Sequence, residues 1–335
     1  MSTTRVNQRW FVWLVLGLCI IAIPVGLLST TIAKHLDKVD GTGDSIMTRF
    51  TDHIEVVRLS GMIQDKEDKS IFFASEDSTS NVLKVFRKAL KNDHVKGILL
   101  RINSPGGTVS ASQEITGALK AFRKSGRPVV VSMGDLTASG GYYVASASDR
   151  ILAEPGTLTG SIGVIMHLTN FKGLADKLGI QAEVIKTGQF KDIASSYRAM
   201  TPEERTILQT LCNDSYDQFV AAVAEGRKMN VADVRQIGDG RIYSGRQALK
   251  LHLVDQLGGY DESLEVLQKM CKDKLHLTEN LPVDDKSSES LLSTLIESAT
   301  GLPALHMRNE AEFVGQLLPE SMNPKFIDVP LWMMR

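Results

Sequence analysis

Between residues 54 and 190, short apolar runs alternate with segments of helical period. That alternation predicts an α/β domain. Ile54–Leu59 (IEVVRL), Gly97–Ile102 (GILLRI) and Pro128–Met133 (PVVVSM) read as strands. The third is almost wholly apolar, which suits a strand covered on both faces of a parallel sheet. Asn81–Lys91 carries apolar residues at 82, 83, 86 and 90, with Ser80 or Asn81 as cap, and reads as a helix. Val109–Lys124 is a second helix stopped by Gly126. Ala138–Ser148 is a third, built of small residues. Arg150–Ala153 and Ser161–Ile165 read as short strands around a Pro155-Gly156 turn, Phe171–Leu178 as a helix closed by Gly179, and Ala182–Lys186 as a further strand. Thr201-Pro-Glu-Glu opens a long helix to about Lys228: a cap, a proline at the first helical position and an acidic first turn. Residues 231–236, 244–251 and 260–273 complete the domain as shorter helices.

Two regions depart from this pattern. Trp10–Ala33 (WFVWLVLGLCIIAIPVGLLSTTIA) contains no charge. A helix of about 20 apolar residues spans a bilayer, and this run exceeds the roughly 7–15 residues of a secretory h-region. Trp10 and Trp13 suit an interfacial belt. The expected organisation is a cytoplasmic leader (1–9), a transmembrane anchor (10–33), a polar tether (34–50), a catalytic domain (51–274) and a C-terminal tail (275–335). Arg5 and Arg9 before the span nearly balance Lys34, His35 and Lys38 after it. The short leader and the lack of a returning span favour a cytoplasmic N-terminus. The periodicity loosens in the tail, which ends in apolar Pro330–Met334. An assembly arm is the simpler expectation for it, and a seat in a peptide groove is the other.

Composition narrows the function. The net charge of the 335 residues is −1, with no run of Lys and Arg, so no nucleic-acid partner is expected. Cys19, Cys212 and Cys271 match no zinc or redox spacing and read as buried free thiols. No ligand-spaced cluster of Asp, Glu, His and Cys suggests a metal, and nothing suggests an organic cofactor.

Three Gly/Ser clusters follow strands: Ser104-Pro-Gly-Gly, Ala138-Ser-Gly-Gly and Thr159-Gly-Ser-Ile-Gly. Ligands of open α/β sheets gather at strand carboxyl ends. Glycine lets paired N–H donors approach an oxyanion. The clusters lack the lysine and spacing of a P-loop and the Rossmann spacing. Ser139 heads a helix and reads equally as a nucleophile or as an N-cap. A nucleophilic serine needs a base. None of the seven histidines sits in a Gly-rich or strand-end motif, and His167 reads as a solvated turn residue. A lysine kept neutral by burial is the other option. Lys186 and Lys191, flanking Thr187–Phe190, are the candidates.

SPGG (104–107), ASGGYYVAS (138–146), TGSIGV (159–164) and KTGQFKDIASSYR (186–198) together resemble the S49 family of signal peptide peptidases in its single-length form. The resemblance covers about residues 54–273. It implies a crotonase/Clp-protease-like fold of ββα units, with Ser139 as nucleophile and Lys191, not Lys186, as general base. It also implies Gly106 as an oxyanion-hole amide, with Gly107 a possible second, and Ser161 as the residue orienting the lysine. Further implications are a single-pass anchor in the cell membrane, an extracytoplasmic catalytic domain, and a homo-oligomeric ring or dome. Ser139 and Lys191 could then meet across a subunit boundary. The expected reaction is endopeptidase cleavage of remnant signal peptides or other extended apolar peptides. A quality-control protease for membrane proteins is the alternative substrate reading. Of other classes, a crotonase-type acyl-CoA enzyme would need no Lys191, and a non-catalytic membrane scaffold would tolerate loss of both dyad residues.

Overall fold

The computed structural model describes residues 51–65 and 79–285, and the backbone of 331–333. The expected leader, anchor and tether lie outside these residues. Among the described residues, no helix is long and apolar enough to cross a membrane.

The elements run β1 (His53–Ile63), α1 (Thr79–Lys91), β2 (Val95–Thr108), α2 (Val109–Lys124), β3 (Val129–Ala138), α3 (Gly140–Ser146), β4 (Arg150–Ala153) and β5 (Leu158–Gly160). Then come α4 (Lys172–Lys177), α5 (Pro202–Arg227), α6 (Val231–Ile237), β6 (Ile242–Ser244), α7 (Gly245–Lys250), β7 (Gln256–Leu257), α8 (Tyr260–Leu275), β8 (Val283–Asp284) and β9 (Leu331–Met333). This is the α/β architecture that the alternating pattern predicts. One sheet carries the order β6-β5-β3-β2-β1-β8, with β4 beside β3, β7 beside β4 and β9 beside β2. Pairing is parallel except for β5–β6 and β2–β9.

The central strands are apolar because both faces are covered. Ile98, Leu99, Leu100 and Ile102 are wholly buried, as are Val129, Val130 and Val131. Each such side chain contributes about 1.5–3 kcal/mol by leaving water. On one face Leu100, Ile102 and Val131 meet Phe86 of α1, Ile115 and Phe122 of α2, and Phe219 of α5. On the other, Ile54, Leu99, Val130 and Leu152 pack on Leu267 and Cys271 of α8. Cys271 is buried as expected, and Cys212 is partly exposed; both are free.

Three expectations need correcting. Residues 182–186, expected as a strand, form none; the segment is exposed, and Ile185 is fully so. A strand requires a neighbour for its backbone groups, and a β-rich composition does not supply one. The strand expected at 161–165 is Leu158–Gly160, because Ser161, at φ 50°, turns the chain out of the sheet. The segment after 274 also returns to the sheet: β8 pairs in parallel with β1 at Ile54↔Val283 and Glu55↔Asp284.

Candidate active site

Ser139 follows β3 directly and stands at the head of α3. Its backbone stands at φ 52°, ψ −119°. A residue with a Cβ held there stores on the order of 1–3 kcal/mol of strain, which the surroundings must hold in place. They do so through backbone bonds: the Ser139 N–H donates to the Gly160 carbonyl at 2.8 Å, and the Tyr143 N–H donates to the Ser139 carbonyl at 2.8 Å. Behind it, buried Tyr142 donates its hydroxyl to the Leu253 carbonyl at 2.9 Å and anchors α3. A sharp, strained strand-to-helix turn is how hydrolases present a nucleophile. The Ser139 side chain is wholly buried, and its Oγ makes no hydrogen bond with a described residue. It does not cap α3, so the N-cap reading of this serine loses its basis.

Gly106 and Gly107 come to the same place. A methyl group on Gly140 would lie 3.3 Å from the Gly106 Cα and 3.2 Å from the Gly107 nitrogen. A methyl group on Gly107 would lie 1.9 Å from the Ile63 carbonyl oxygen, so only glycine fits there. Gly106 adopts φ 104°, the region that favours glycine. Its N–H donates to Ser104 Oγ at 3.1 Å. A substrate oxygen would have to displace this hydroxyl, a competition that sequence reading does not reveal. Strand ends are tied together by threonine hydroxyls: Thr137 donates to the Ile102 carbonyl at 2.8 Å and Thr159 to the Thr137 carbonyl at 2.6 Å. Ser161 follows at once, nearly buried, its N–H bonded to the Arg241 carbonyl at 2.9 Å.

The two candidate lysines differ in their partners. Lys186 Nζ pairs with Asp192 and also donates to the Gln189 carbonyl at 2.9 Å. Lys191 is exposed, and its amine makes no ion pair or hydrogen bond with a described residue. Sequence reading missed the group that shapes this segment. Arg198 Nε donates to Asp192 Oδ2 at 2.8 Å, and its other nitrogens reach Glu204, the capping-box residue of α5. Arg198 and then Lys186 hold the Asp192 carboxyl well below the usual carboxylate range. Arg198, with the Thr201 N–H, pushes Glu204 down to about 2. Periodicity carries no signal for such a network, since its members lie six residues apart and all but Glu204 stand in irregular backbone. Lys191 does not bond Ser139 within one chain.

The backbone of β9 lies antiparallel to the glycine strand, with Gly106↔Met333, Gly107↔Trp332 and Thr108↔Leu331. The glycine segment thus already accepts an extended strand beside Ser139.

The profile of "Peptidase family S49" matches residues 121–274. An Enterococcus faecium protein, provisionally named signal peptide peptidase SppA, is 34% identical over 278 residues, covering 78% of this chain and 81% of that one. A Synechocystis protein, provisionally named a protease, is 48% identical over 187 residues, covering 55% of this chain and 67% of its own. The chloroplastic serine protease SPPA of Arabidopsis thaliana is 29% identical over 258 residues, 77% of this chain but 36% of the plant protein. A serine strained at a strand-to-helix turn, set against a glycine strand, sits within a chain alike over most of its length to these proteases: the chain belongs to peptidase family S49 and is a serine peptidase.

Proposed function

We propose that the protein is a membrane-anchored endopeptidase in which Ser139 is activated by Lys191 of a neighbouring copy. The observation that carries this reading is the unbonded, buried Ser139 hydroxyl beside the Gly106–Gly107 strand. Ser139 Oγ attacks the scissile carbonyl carbon, and the lysine amine takes the hydroxyl proton. The tetrahedral intermediate collapses, the amine returns the proton to the leaving nitrogen, and the acyl-enzyme is hydrolysed by water. The Gly106 N–H, released from Ser104, and the Gly107 N–H would hold the oxyanion. One such donor is worth about 3–4 kcal/mol. Ser161 would orient the lysine.

Supply of the base from another copy fits the surface. Leu178, Ile180, Val184 and Ile185 stand 53% exposed or more on the segment that carries Lys191. Exposed apolar side chains gathered on one short segment are compatible with an association surface, as a ring or dome would require. Strand-wise pairing at Gly106–Thr108 favours extended peptides as substrates. The apolar run 10–33 would hold the site at the membrane, with the catalytic domain outside the cytoplasm, where remnant signal peptides are a ready class of apolar substrate. The repeated strand–helix units fit the crotonase/Clp-protease-like arrangement.

Peptide hydrolysis by Ser139→Ala, Lys191→Ala and their equimolar mixture tests the reading. Each variant alone should lose at least about 10³-fold in turnover, while Lys186→Ala should keep most activity. Mixed and reassembled subunits should regain a substantial fraction, because some sites then pair an intact serine with an intact lysine. Near-normal turnover by either single variant would refute the dyad. Two inactive variants that stay inactive when mixed would refute its sharing between copies.

A further inference from the structure

β1 begins at His53, and Glu55 follows two residues on, so both side chains leave one face of the strand. The parallel register Glu55↔Asp284 brings Asp284 of β8 to that face. One ligand-type atom from each of the three lies within 4.8 Å of the other two. His53 is 2% exposed, Glu55 5%, and Asp284 is half-buried. Ile63, at the opposite end of β1, pairs with Gly107. Ten residues of strand, on the order of 30 Å, therefore separate the cluster from the catalytic end.

The imidazole tautomer follows from its contacts. Nδ1 lies 2.8 Å from the Thr51 carbonyl oxygen, which only accepts, so Nδ1 carries the proton and donates it. Nε2 then faces Glu55 Oε2 at 3.6 Å. That is too long for a hydrogen bond. It does match two ligands on one ion: bonds of about 2.0–2.2 Å at a tetrahedral angle put ligand atoms roughly 3.3–3.6 Å apart. A metal-bound histidine characteristically donates its other N–H to a carbonyl, as His53 does to Thr51.

We propose that His53 Nε2, Glu55 and Asp284 bind one divalent transition-metal ion, best matched by zinc, which staples β8 to β1. One imidazole nitrogen with two carboxylates suits zinc or manganese rather than the all-oxygen shells of calcium and magnesium. The role is structural, since the ion would join strands whose paired residues, such as Glu55 and Asp284, lie more than 200 positions apart in sequence, and β8 contributes only two residues to the ladder. The competing arrangement is an imidazolium bridging the carboxylates. Burial opposes that charge, but Glu55 and the Thr51 carbonyl raise the His53 pKa overall, so experiment must separate the two.

The test uses the full chain, stripped with a chelator and titrated with zinc. We expect one zinc ion per chain to survive dialysis, with a first shell of nitrogen and oxygen in X-ray absorption. At a hundredfold excess over Kd, the melting temperature should rise by about 5 °C. Glu55→Gln and Asp284→Asn should each lose this rise and bind at least about 100-fold more weakly. Both should keep wild-type peptide turnover, being far from the catalytic strand. No stoichiometric zinc in the wild type would overturn the proposal. So would zinc bound equally by both variants, or sulfur in the first shell.

Discussion

Gly140→Ala separates the stability of the nucleophile turn from its chemistry. Gly140 opens α3, where alanine is intrinsically favoured over glycine by about 1 kcal/mol. The added methyl carbon would lie 2.5 Å from Ser112 Oγ, 3.2 Å from the Gly107 nitrogen and 3.3 Å from the Gly106 Cα. The first contact can relax by rotation of Ser112, at the loss of its 2.9 Å bond to the Thr108 carbonyl, about 1 kcal/mol. Helix propensity and hydrogen-bond loss then nearly cancel. The other two contacts are with backbone. They can ease only if the glycine strand moves a few tenths of an ångström away from the strand-to-helix turn. Oxyanion donors act over a narrow range near 3 Å, and small misplacements are costly to rate. We therefore expect a melting temperature within about 3 °C of wild type and kcat lowered by about 10²-fold or more. The assay pairs thermal unfolding with peptide hydrolysis. Adding Ser112→Ala should restore any lost stability without restoring turnover. Wild-type kcat in Gly140→Ala would refute the reasoning, since the Gly106–Gly107 backbone could then shift without effect on the reaction.

Two further predictions concern the scaffold. Arg127 is buried against Phe122 and donates to the carbonyls of Ala89, Asn92 and Val95 at 2.8–3.0 Å, closing the C-terminal end of α1. Arg127→Ala leaves these carbonyls without their cation and should cost about 2–4 kcal/mol, read as a fall of about 5–12 °C in melting temperature, with Arg127→Lys recovering only part. Asp149 accepts from Arg123 at 3.0 Å and from the Val129 N–H at 2.9 Å. Burial opposes its ionisation, but these bonds outweigh it and lower its pKa overall. A depressed folded-state pKa means a contribution fully present above about pH 4 and lost as pH falls below it. Acid unfolding of Asp149→Asn should therefore show a smaller loss of stability between about pH 5 and 3 than wild type, and an unchanged acid profile would refute this assignment.

Local chemistry determined much by sequence alone. Apolar runs at 97–102 and 128–133 had to be covered on both faces, and Thr201-Pro-Glu-Glu had to start a helix, because these signals act over a few neighbouring residues. The motifs around Ser139, Gly106 and Ser161 were legible for the same reason: a strained turn and a close backbone approach demand small residues in fixed order. Tertiary structure decided what no neighbour in sequence could. It withdrew the strand expected at 182–186 for want of a partner, and it brought β8 back to β1 across more than 200 residues. It also gave Asp192 to Lys186 and left the Lys191 amine without a partner among the described residues. Each of these depends on which distant groups share a surface, and only the closed sheet with its packed helices sets those distances.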